Sequence, residues 1–475
     1  MTDPIVVPAP TSIVPTGRPV CLDEAPAFRL DAGDGPTSGI AGELTALGLA
    51  RTESAAAAAL VELGGPPDLG AEGYQIGTRD GQLTLRAHRP GGLFRGVQTL
   101  RQLLPGGAPS AEVPGLAIID RPRFGWRGLM LDVARHFFGV ADIKRVIDLA
   151  ALYKLNVLHL HLTDDQGWRI AVDGWPDLTE IGGRTAVGGG PGGYYTAADY
   201  AEIVNYGADR FITVVPEIDV PGHTNAALAS YPELNCDGTA RPAFTGVEVG
   251  FSSLCLDKPV TQEFLEDVFA AVAEMTPGDY VHIGGDEAHT LTVEEYAPFV
   301  ERVQKTVVAT GKVPVGWQEV ATARPSPGAI VQYWNTGAGP DQAVAAVRGG
   351  ARVIMSPADR AYLDMKYDAA TPVGLDWAGY VDVRDCYDWD PATLVAGIGE
   401  TDVLGVEAAL WTETITTVAE IERMLLPRLP AVAEVAWSPV DTRHWAGFRS
   451  RLAAQARLWD RLGAEYHRSA QVDWR

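Results

Sequence analysis

The stretch GLMLDVARHFFGVADIKRVIDLAALYKLNVLHLHL, residues 128–162, contains a complete strand–helix–strand unit. Its two ends, residues 128–133 and 156–162, are short apolar runs of the length expected for buried strands. The segment between them, residues 140–153, has the periodic apolar positions of a helix. A helix between two buried strands predicts a βα unit, in which both strands run parallel within one sheet.

The same rhythm continues along the rest of the chain. Further strands are predicted at residues 211–216, 280–283, 313–317, 330–334, 352–355 and 405–411. Further helices are predicted at residues 197–209, 261–274, 293–310 and 340–349. Eight strands with intervening helices in about 350 residues fit a (β/α)8 TIM barrel with long loops. The α/β barrel is therefore predicted to occupy residues 121–475.

The first 120 residues have a different pattern and predict a small α+β domain without catalytic residues. An Ala-rich stretch at residues 55–62 is interpreted as helical, and residues 94–104 carry apolar side chains on one helical face. The segment PGGAPSAEVPG, residues 105–115, then breaks the pattern. We expect the domain boundary near residues 120–122, which gives domains 1–120 and 121–475.

Composition and charge exclude several classes of protein. The chain has 38 basic and 61 acidic residues and a net charge of −23, which repels phosphate backbones and anionic lipids. Neither nucleic acid nor a membrane is therefore an expected partner. No apolar run is long enough to span a bilayer, and MTDPIVVPAP at the start lacks the features of an export signal. The sequence as written predicts a cytoplasmic chain, or a secreted one whose export sequence is absent.

The four cysteines do not form the close pairs that bind zinc, so no metal or other cofactor is expected. Cys236 and Cys255 bracket a loop with Gly and Pro. Two alternatives stay open for them on this evidence, a disulfide in an oxidising compartment or two buried thiols.

Active sites of such barrels form at the carboxyl ends of the strands, and here those positions are rich in functional groups. In chain order they are Arg135 and His136, Asp164 and Asp165, Glu217, Asp219 and His223, Asp286 and Glu287, Trp317, Trp334, Tyr362 and Asp364, and Trp411 and Glu413. Any one of them could be a helix cap or a core aromatic. Together, tryptophans, carboxylates and one arginine are typical of a sugar-binding site, because aromatic faces stack on pyranose rings and charged groups bind hydroxyls.

The adjacent pair Asp286 and Glu287 follows Gly284 and Gly285, which release the chain from the strand. Both carboxyl groups can then reach one substrate. Two carboxyl groups crowded among tryptophans are expected to have separated pKa values, so that one is protonated and the other ionised.

At these residues the chain resembles glycoside hydrolase family 20, the β-N-acetylhexosaminidases, especially the bacterial enzymes. The motifs that carry the resemblance are DVARHFF (132–138), LHLHLTDDQGWRI (158–170), PEIDVPGHTNAAL (216–228), HIGGDE (282–287), YLDMKY (362–367) and ALWTE (409–413). The first 120 residues resemble the small domain that precedes the barrel in this family. The resemblance implies exo-acting, retaining hydrolysis of terminal β-linked N-acetylglucosamine, and of N-acetylgalactosamine, through an oxazolinium intermediate. Chitin oligosaccharides and glycan termini are the implied substrates.

The resemblance also implies a role for each site residue. Glu287 would be the general acid and base, and Asp286 and Tyr362 would hold the acetamido group that attacks the sugar's own C1. The remaining roles concern binding and support. Trp317, Trp334 and Trp411 would form the aromatic wall, Arg135, Asp364 and Glu413 would bind hydroxyls, Asp164, Asp219 and His223 would support the acid, and Cys236 and Cys255 would form a disulfide.

The loops expected to contact the leaving sugar are residues 186–196 and 370–390, which carry Tyr194, Tyr195, Trp377 and Trp389. Two other interpretations of the sequence compete with a glycosidase. His159 and His161 lie on one strand face near acidic residues, as in a metal-dependent hydrolase. A sugar-binding protein without turnover would use the same tryptophans, but it would not need an acid at position 287.

Overall fold

The computed structural model describes residues 5–33, 36–79, 81–104, 106–337 and 340–474. Its amino-terminal part is a seven-stranded mixed sheet. The strands are β1 Ser12–Cys21, β2 Ala27–Asp31, β3 Ala50–Arg51, β4 Ala59–Leu63, β5 Tyr74–Arg79, β6 Gln82–Ala87 and β7 Glu112–Asp120. They lie in the order β1-β7-β5-β6-β4-β2-β3. Two helices, α1 Ser38–Ala46 and α2 Pro90–Leu103, complete this part. The predicted small α+β domain is thus confirmed.

One element of this domain is predicted wrongly. Residues 55–62, interpreted as helical, contain instead the start of β4, which pairs in parallel with β2 and β6. Ala59 and Val61 are buried in the sheet and alternate with half-buried Leu60 and Glu62. Strand pairing on both sides outweighs the helix propensity of alanine, which is a weak determinant beside tertiary contacts.

Helix α2 lies between the sheet and the barrel. It contacts β5 and β6 on one side and the first barrel helix on the other, which explains why nearly all of its residues are buried. The predicted helix over residues 94–104 is confirmed and begins earlier, with Pro90 at the amino end, where the missing N–H of proline has no helical partner to lose.

The eight predicted parallel strands are all present and close into a barrel in sequential order. They are β8 Trp126–Asp132, β9 Val157–His161, β10 Thr213–Glu217, β11 Tyr280–His282, β12 Val313–Trp317, β13 Ile330–Tyr333, β14 Arg352–Met355 and β15 Val403–Leu410. Strand β15 pairs in parallel with β8 and closes the ring. The predicted TIM barrel is therefore confirmed.

Helices surround the barrel strands. They are α3 Val140–Leu152, α4 Asp177–Glu180, α5 Ala197–Ala208, α6 Asn225–Ser230, α7 Pro259–Met275, α8 Val293–Ala309, α9 Pro340–Arg348, α10 Ala358–Ala361, α11 Val383–Tyr387, α12 Val418–Leu425, α13 Arg428–Trp437 and α14 Trp445–Leu462. Short 3-10 turns lie at Pro67–Leu69, Val187–Gly189, Pro232–Leu234, Gln318–Thr322 and Val440–Thr442. Within the described part of the chain, every helix is too short or too polar to cross a membrane.

The small domain and the barrel are joined by buried polar contacts. Asp120, at the end of β7, accepts hydrogen bonds from Lys154 Nζ at 2.9 Å and from the Trp437 indole at 2.9 Å. Arg95 of α2 donates to the carbonyl of Phe211 at 2.7 Å. Because each contact includes a buried charged side chain, it fixes the orientation of one part on the other.

Candidate active site

A pocket of about 690 Å³ opens at the carboxyl ends of the barrel strands. Eight of the predicted site residues line it, namely Arg135, Asp286, Glu287, Trp334, Tyr362, Asp364, Trp411 and Glu413. The other four, Trp317, Asp164, Asp219 and His223, are buried next to these residues. The structure thus brings together side chains from all eight strand ends.

The catalytic candidates Asp286 and Glu287 are delivered by a sharp turn after β11. Gly284 and Gly285 have φ angles of +63° and +102°, which side chains rarely tolerate. A Cβ on Gly284 would lie 1.8 Å from Asp219 Oδ1. The Gly285 N–H instead donates to that oxygen at 2.9 Å. Asp219 therefore fixes the turn that carries the two carboxyl groups.

The two carboxyl groups have separated pKa values, as the sequence predicts, but in an unexpected order. Burial raises the pKa of Asp286 to about 6, although His223 opposes the rise. Burial also acts to raise the pKa of Glu287, but the contact with His223 and the charge of Arg135 outweigh it and lower that pKa. Exposure contributes to this order, since the Asp286 side chain is 10% exposed and that of Glu287 is 25% exposed.

His223 contacts the carboxyl groups of Asp286 and Glu287. Its Nε2 lies 3.5 Å from Asp286 Oδ2 and 3.5 Å from Glu287 Oε2, and its Nδ1 lies 3.2 Å from Asp164 Oδ1. Burial alone would lower the pKa of His223, but the charges of Asp164 and Asp286 raise it well above its usual value. The ring is therefore held as a cation between three carboxyl groups.

Four aromatic rings enclose one side of the pocket. Tyr362 stacks on Trp334 at 6.2 Å with an interplanar angle of 12°, and Trp411 lies 6.3 Å from Tyr362 and 5.7 Å from Trp317. Trp317 is 1% exposed and packs behind Trp411, outside the pocket lining. The rings make a box open on one side, which suits a flat group such as an amide.

The role of the residues that follow Trp317 was not predicted from the sequence. Gln318 Oε1 accepts from the backbone N–H groups of Trp334 and Asn335 at 3.1 and 2.9 Å. Glu319 Oε2 accepts from the Trp334 indole at 3.1 Å. These two side chains fix the backbone and the ring of Trp334. Sequence could not reveal this, because the contact joins the ends of two neighbouring strands.

Several buried polar atoms around the pocket have no hydrogen-bond partner among the described residues. Among the described residues, Arg135 Nε, Glu413 Oε2 and Asp286 Oδ1 are buried and have no hydrogen-bond partner. Asp364 is 1% exposed, and burial together with the charge of Glu413 raises its pKa well above the usual value. Buried polar atoms without partners are costly in a folded protein. A ligand rich in hydroxyl groups would satisfy them.

Only one of the four loop aromatics proposed for the leaving sugar lines the pocket. Trp377 is 55% exposed and meets Trp334 edge-on at 5.9 Å. Tyr195 and Trp389 are core residues, and each donates to a backbone carbonyl, of Phe138 at 2.5 Å and of Cys386 at 3.0 Å respectively. Tyr194 is 38% exposed and is not part of the pocket lining.

The pocket-lining residues that sequence reasoning missed include Val247 and Val249, which are 52% and 40% exposed. The two valines lie on the loop closed by a disulfide between Cys236 and Cys255, with an S–S distance of 2.11 Å. No periodic pattern marks these valines, and only the exposed position of an apolar side chain beside the pocket identifies them.

The histidines of the metal-site interpretation are parts of a hydrogen-bonded network. The two ring nitrogens of His161 lie 2.6 Å from Glu217 and 2.8 Å from Asp164. Burial would lower the pKa of His161, but the two carboxylates raise it well above its usual value. A histidine between two carboxylates fits a protonated ring, whereas a metal ligand must offer an unprotonated nitrogen.

Comparisons with known proteins agree with this geometry. The family model of the catalytic domain of glycosyl hydrolase family 20 matches residues 124–297 and 290–440, and that of the family's domain 2 matches residues 3–121. A β-N-acetylhexosaminidase of Cellulomonas fimi is 48% identical over 100% of this chain and 98% of its own length.

Solved structures show the same relation. The family 20 β-N-acetylhexosaminidase of Streptomyces coelicolor A3(2) has a TM-score of 0.96 at 49% identity and covers 99% of both chains. A mutant β-hexosaminidase of Streptomyces plicatus in complex with its product N-acetylglucosamine has the same TM-score and identity and covers 99% of this chain and 98% of its own. This chain therefore belongs to glycosyl hydrolase family 20 and is a glycoside hydrolase, as its sequence motifs predict.

Proposed function

We propose that the pocket binds one terminal, non-reducing β-linked N-acetylhexosamine and that the sugar's own acetamido oxygen is the nucleophile. The observation that carries this proposal is the arrangement of Asp286 and Glu287 on one turn, beside a box of aromatic rings that includes Tyr362. A flat acetamido group fits between these rings, next to the Asp286 carboxyl group. Hydrolysis by this route retains the configuration at C1.

Glu287 is proposed as the general acid that protonates the glycosidic oxygen, and later as the base that activates water. It is the more exposed carboxyl group of the pair, so it can reach a leaving group at the pocket mouth. A sugar above Glu287 excludes water and raises its pKa toward the protonated form that an acid requires.

Asp286 and Tyr362 are proposed to hold the acetamido group from its two sides. The Oδ1 atom of Asp286 has no partner among the described residues and can accept a hydrogen bond from the acetamido N–H. That bond favours the ionised carboxylate and lowers the raised pKa of Asp286. Substrate binding therefore inverts the pKa order of the two groups. The buried hydroxyl of Tyr362 donates to the acetamido oxygen.

Arg135, Asp364 and Glu413 are proposed to bind the sugar hydroxyls. Buried side chains of the barrel close the pocket below them, so only the end of a glycan can enter. This supports exo-cleavage of N-acetylglucosamine and of N-acetylgalactosamine. The half-exposed Trp377, Val247 and Val249 offer apolar surface to the leaving sugar of a chitin oligosaccharide or a glycan terminus.

The remaining proposals concern the surroundings of the chain. The net charge of −23 disfavours nucleic acid and anionic membranes as partners. The disulfide between Cys236 and Cys255 favours an oxidising compartment over the cytoplasm.

The test is a comparison of initial rates on p-nitrophenyl β-glycosides of N-acetylglucosamine and glucose, which differ at the proposed nucleophile. We expect turnover of the first and none of the second. Comparable turnover of both would indicate a protein nucleophile and overturn substrate assistance. Binding of N-acetylglucosamine without turnover of either would favour a sugar-binding protein.

A further inference from the structure

A chain of buried ionisable side chains runs through the barrel below the pocket. Glu407 Oε1 lies 2.9 Å from His159 Nδ1, and His159 Nε2 lies 2.9 Å from Glu217 Oε2. The same Glu217 oxygen lies 2.6 Å from His161 Nδ1. All four residues are at most 1% exposed in their side chains, and none lines the pocket.

Glu217 is the branch point of this chain. Its Oε1 accepts a hydrogen bond from the Trp317 indole at 2.8 Å, which fixes the ring that packs behind Trp411. Its Oε2 contacts His161, which continues toward the catalytic candidates. One carboxylate therefore contacts both the aromatic box and the polar support of the acid.

The second branch reaches both catalytic carboxyl groups in three steps. His161 Nε2 lies 2.8 Å from Asp164 Oδ2, and Asp164 Oδ1 lies 3.2 Å from His223 Nδ1. His223 Nε2 then lies 3.5 Å from Asp286 and from Glu287. Since His161 lies between two carboxylates, Glu217 fixes its orientation. His161 and Arg135 Nη2, each 2.8 Å from Asp164 Oδ2, together hold the Asp164 side chain.

We propose that Glu217 is a positioning residue that fixes the Trp317 ring behind Trp411 directly and the His223 imidazole through His161 and Asp164. This inference rests on the proposed roles of Asp286 and Glu287 and extends them to a residue outside the pocket. It differs from a purely structural role, in which Glu217 would only neutralise buried histidines.

The ionisable neighbours of Glu217 define what a variant would disturb. They are His159 and His161 on β9, His282 Nδ1 on β11 at 3.1 Å, and the charges of Asp219 and Asp286 from the following loops. Glu407 is a matched control, because it is also fully buried and also contacts His159, but its other hydrogen bonds go to Trp126 and Gln332.

The experiment uses Glu217→Gln and Glu407→Gln with two substrates. Hydrolysis of N,N'-diacetylchitobiose needs strong protonation of its leaving group, whereas the p-nitrophenyl glycoside needs little. We expect kcat of Glu217→Gln to fall about 100-fold on chitobiose, which is the effect expected of a misplaced catalytic group. On the aryl glycoside we expect kcat to fall only about tenfold. A thiazoline analogue of the cyclised sugar should bind about tenfold more weakly, because an amide has one acceptor oxygen and cannot accept from both the Trp317 indole and His161.

Glu407→Gln should lower the melting temperature without changing the ratio of the two rates. Equal losses on both substrates in both variants would assign Glu217 a structural role only and overturn the proposal. If Glu217→Gln does not fold, His161→Asn tests the second branch, together with the edge-on contact of His161 with Trp411 at 4.9 Å. It should lose chitobiose hydrolysis selectively, and unchanged chitobiose turnover would equally overturn the proposal.

One further variant separates this proposal from the one it rests on. Glu287→Gln must itself show the selective loss on chitobiose if Glu287 is the acid. If it does not, the assignment of the acid fails, whatever the result at Glu217.

Discussion

Two clusters of buried charged side chains, one between the small domain and the barrel and one at the pocket, differ in how completely they are hydrogen bonded. In the first, Asp120 Oδ1 accepts from Trp437 and Thr11, and Oδ2 accepts from Tyr74 and Lys154, at 2.6–3.1 Å. In the second, atoms of Arg135, Asp286 and Glu413 have no partner within the described residues.

The difference separates structure from function in physical terms. A fully hydrogen-bonded buried carboxylate stabilises one arrangement of the chain, whereas a buried polar atom without a partner costs stability unless a ligand satisfies it. Variants of the interface cluster should therefore reduce stability and leave kcat unchanged. Variants of the pocket cluster should reduce kcat and leave stability nearly unchanged.

The largest expected effect is at Glu287. Replacement of Glu287 by Gln should lower kcat on chitobiose by about 10²- to 10⁴-fold, because the leaving group is no longer protonated. The melting temperature should stay close to that of the wild type, since the side chain is a quarter exposed. Steady-state kinetics and thermal unfolding measure both, and near-wild-type turnover on chitobiose would refute the assignment.

A variant of the interface cluster should lose stability and keep its kcat. Asp120→Asn leaves the buried Lys154 ammonium without its carboxylate, and we expect a loss of about 3–5 kcal/mol in the free energy of unfolding. Denaturant unfolding measures this loss, and kcat of the folded fraction should be unchanged. Combining it with Lys154→Met should recover part of the stability, because both charges are then removed. A large fall in kcat would show that the two clusters are coupled.

A smaller effect is expected from pH. The raised pKa of Asp286, about 6, means that the acceptor for the acetamido N–H is protonated at lower pH. We expect kcat/KM to fall about tenfold per pH unit below pH 6. The free energy of unfolding should change in the opposite direction to kcat/KM. Folding raises the pKa of this carboxyl group, so the folded state becomes more stable as pH falls through 6. Asp286→Asn should remove both dependences, and an acid limb near pH 4 in the wild type would contradict the assignment.

The smallest expected effect is that of metal removal. His159 Nδ1 and both ring nitrogens of His161 are hydrogen bonded to carboxylates. Dialysis against EDTA should therefore leave the rate on the aryl glycoside within the error of the assay. A loss that Zn²⁺ or Mg²⁺ restores would revive the metal-dependent interpretation.

Local pattern was a good guide to the barrel and a poorer one to the small domain and the loops. All eight predicted strands are present, because a buried parallel strand is an apolar run in the sequence itself. The helix predicted at residues 55–62 is wrong because the helix propensity of alanine is weak beside strand pairing. Tyr195 and Trp389 were predicted to contact the leaving sugar but are core residues. The sequence does not show whether an aromatic residue in a loop is buried in the core or lines a pocket.

The sequence by itself determined the strand order, the positions of the functional groups at the strand ends and the family, since each depends on residues close together in the chain. Only the tertiary structure decided which carboxyl group has the raised pKa, which aromatic residues line the pocket and which polar atoms remain without partners. These properties depend on contacts such as Glu217 with Trp317, 100 residues apart, and Asp120 with Trp437, 317 apart. Burial and distance set pKa values and hydrogen bonding, and neither is a local property of the sequence.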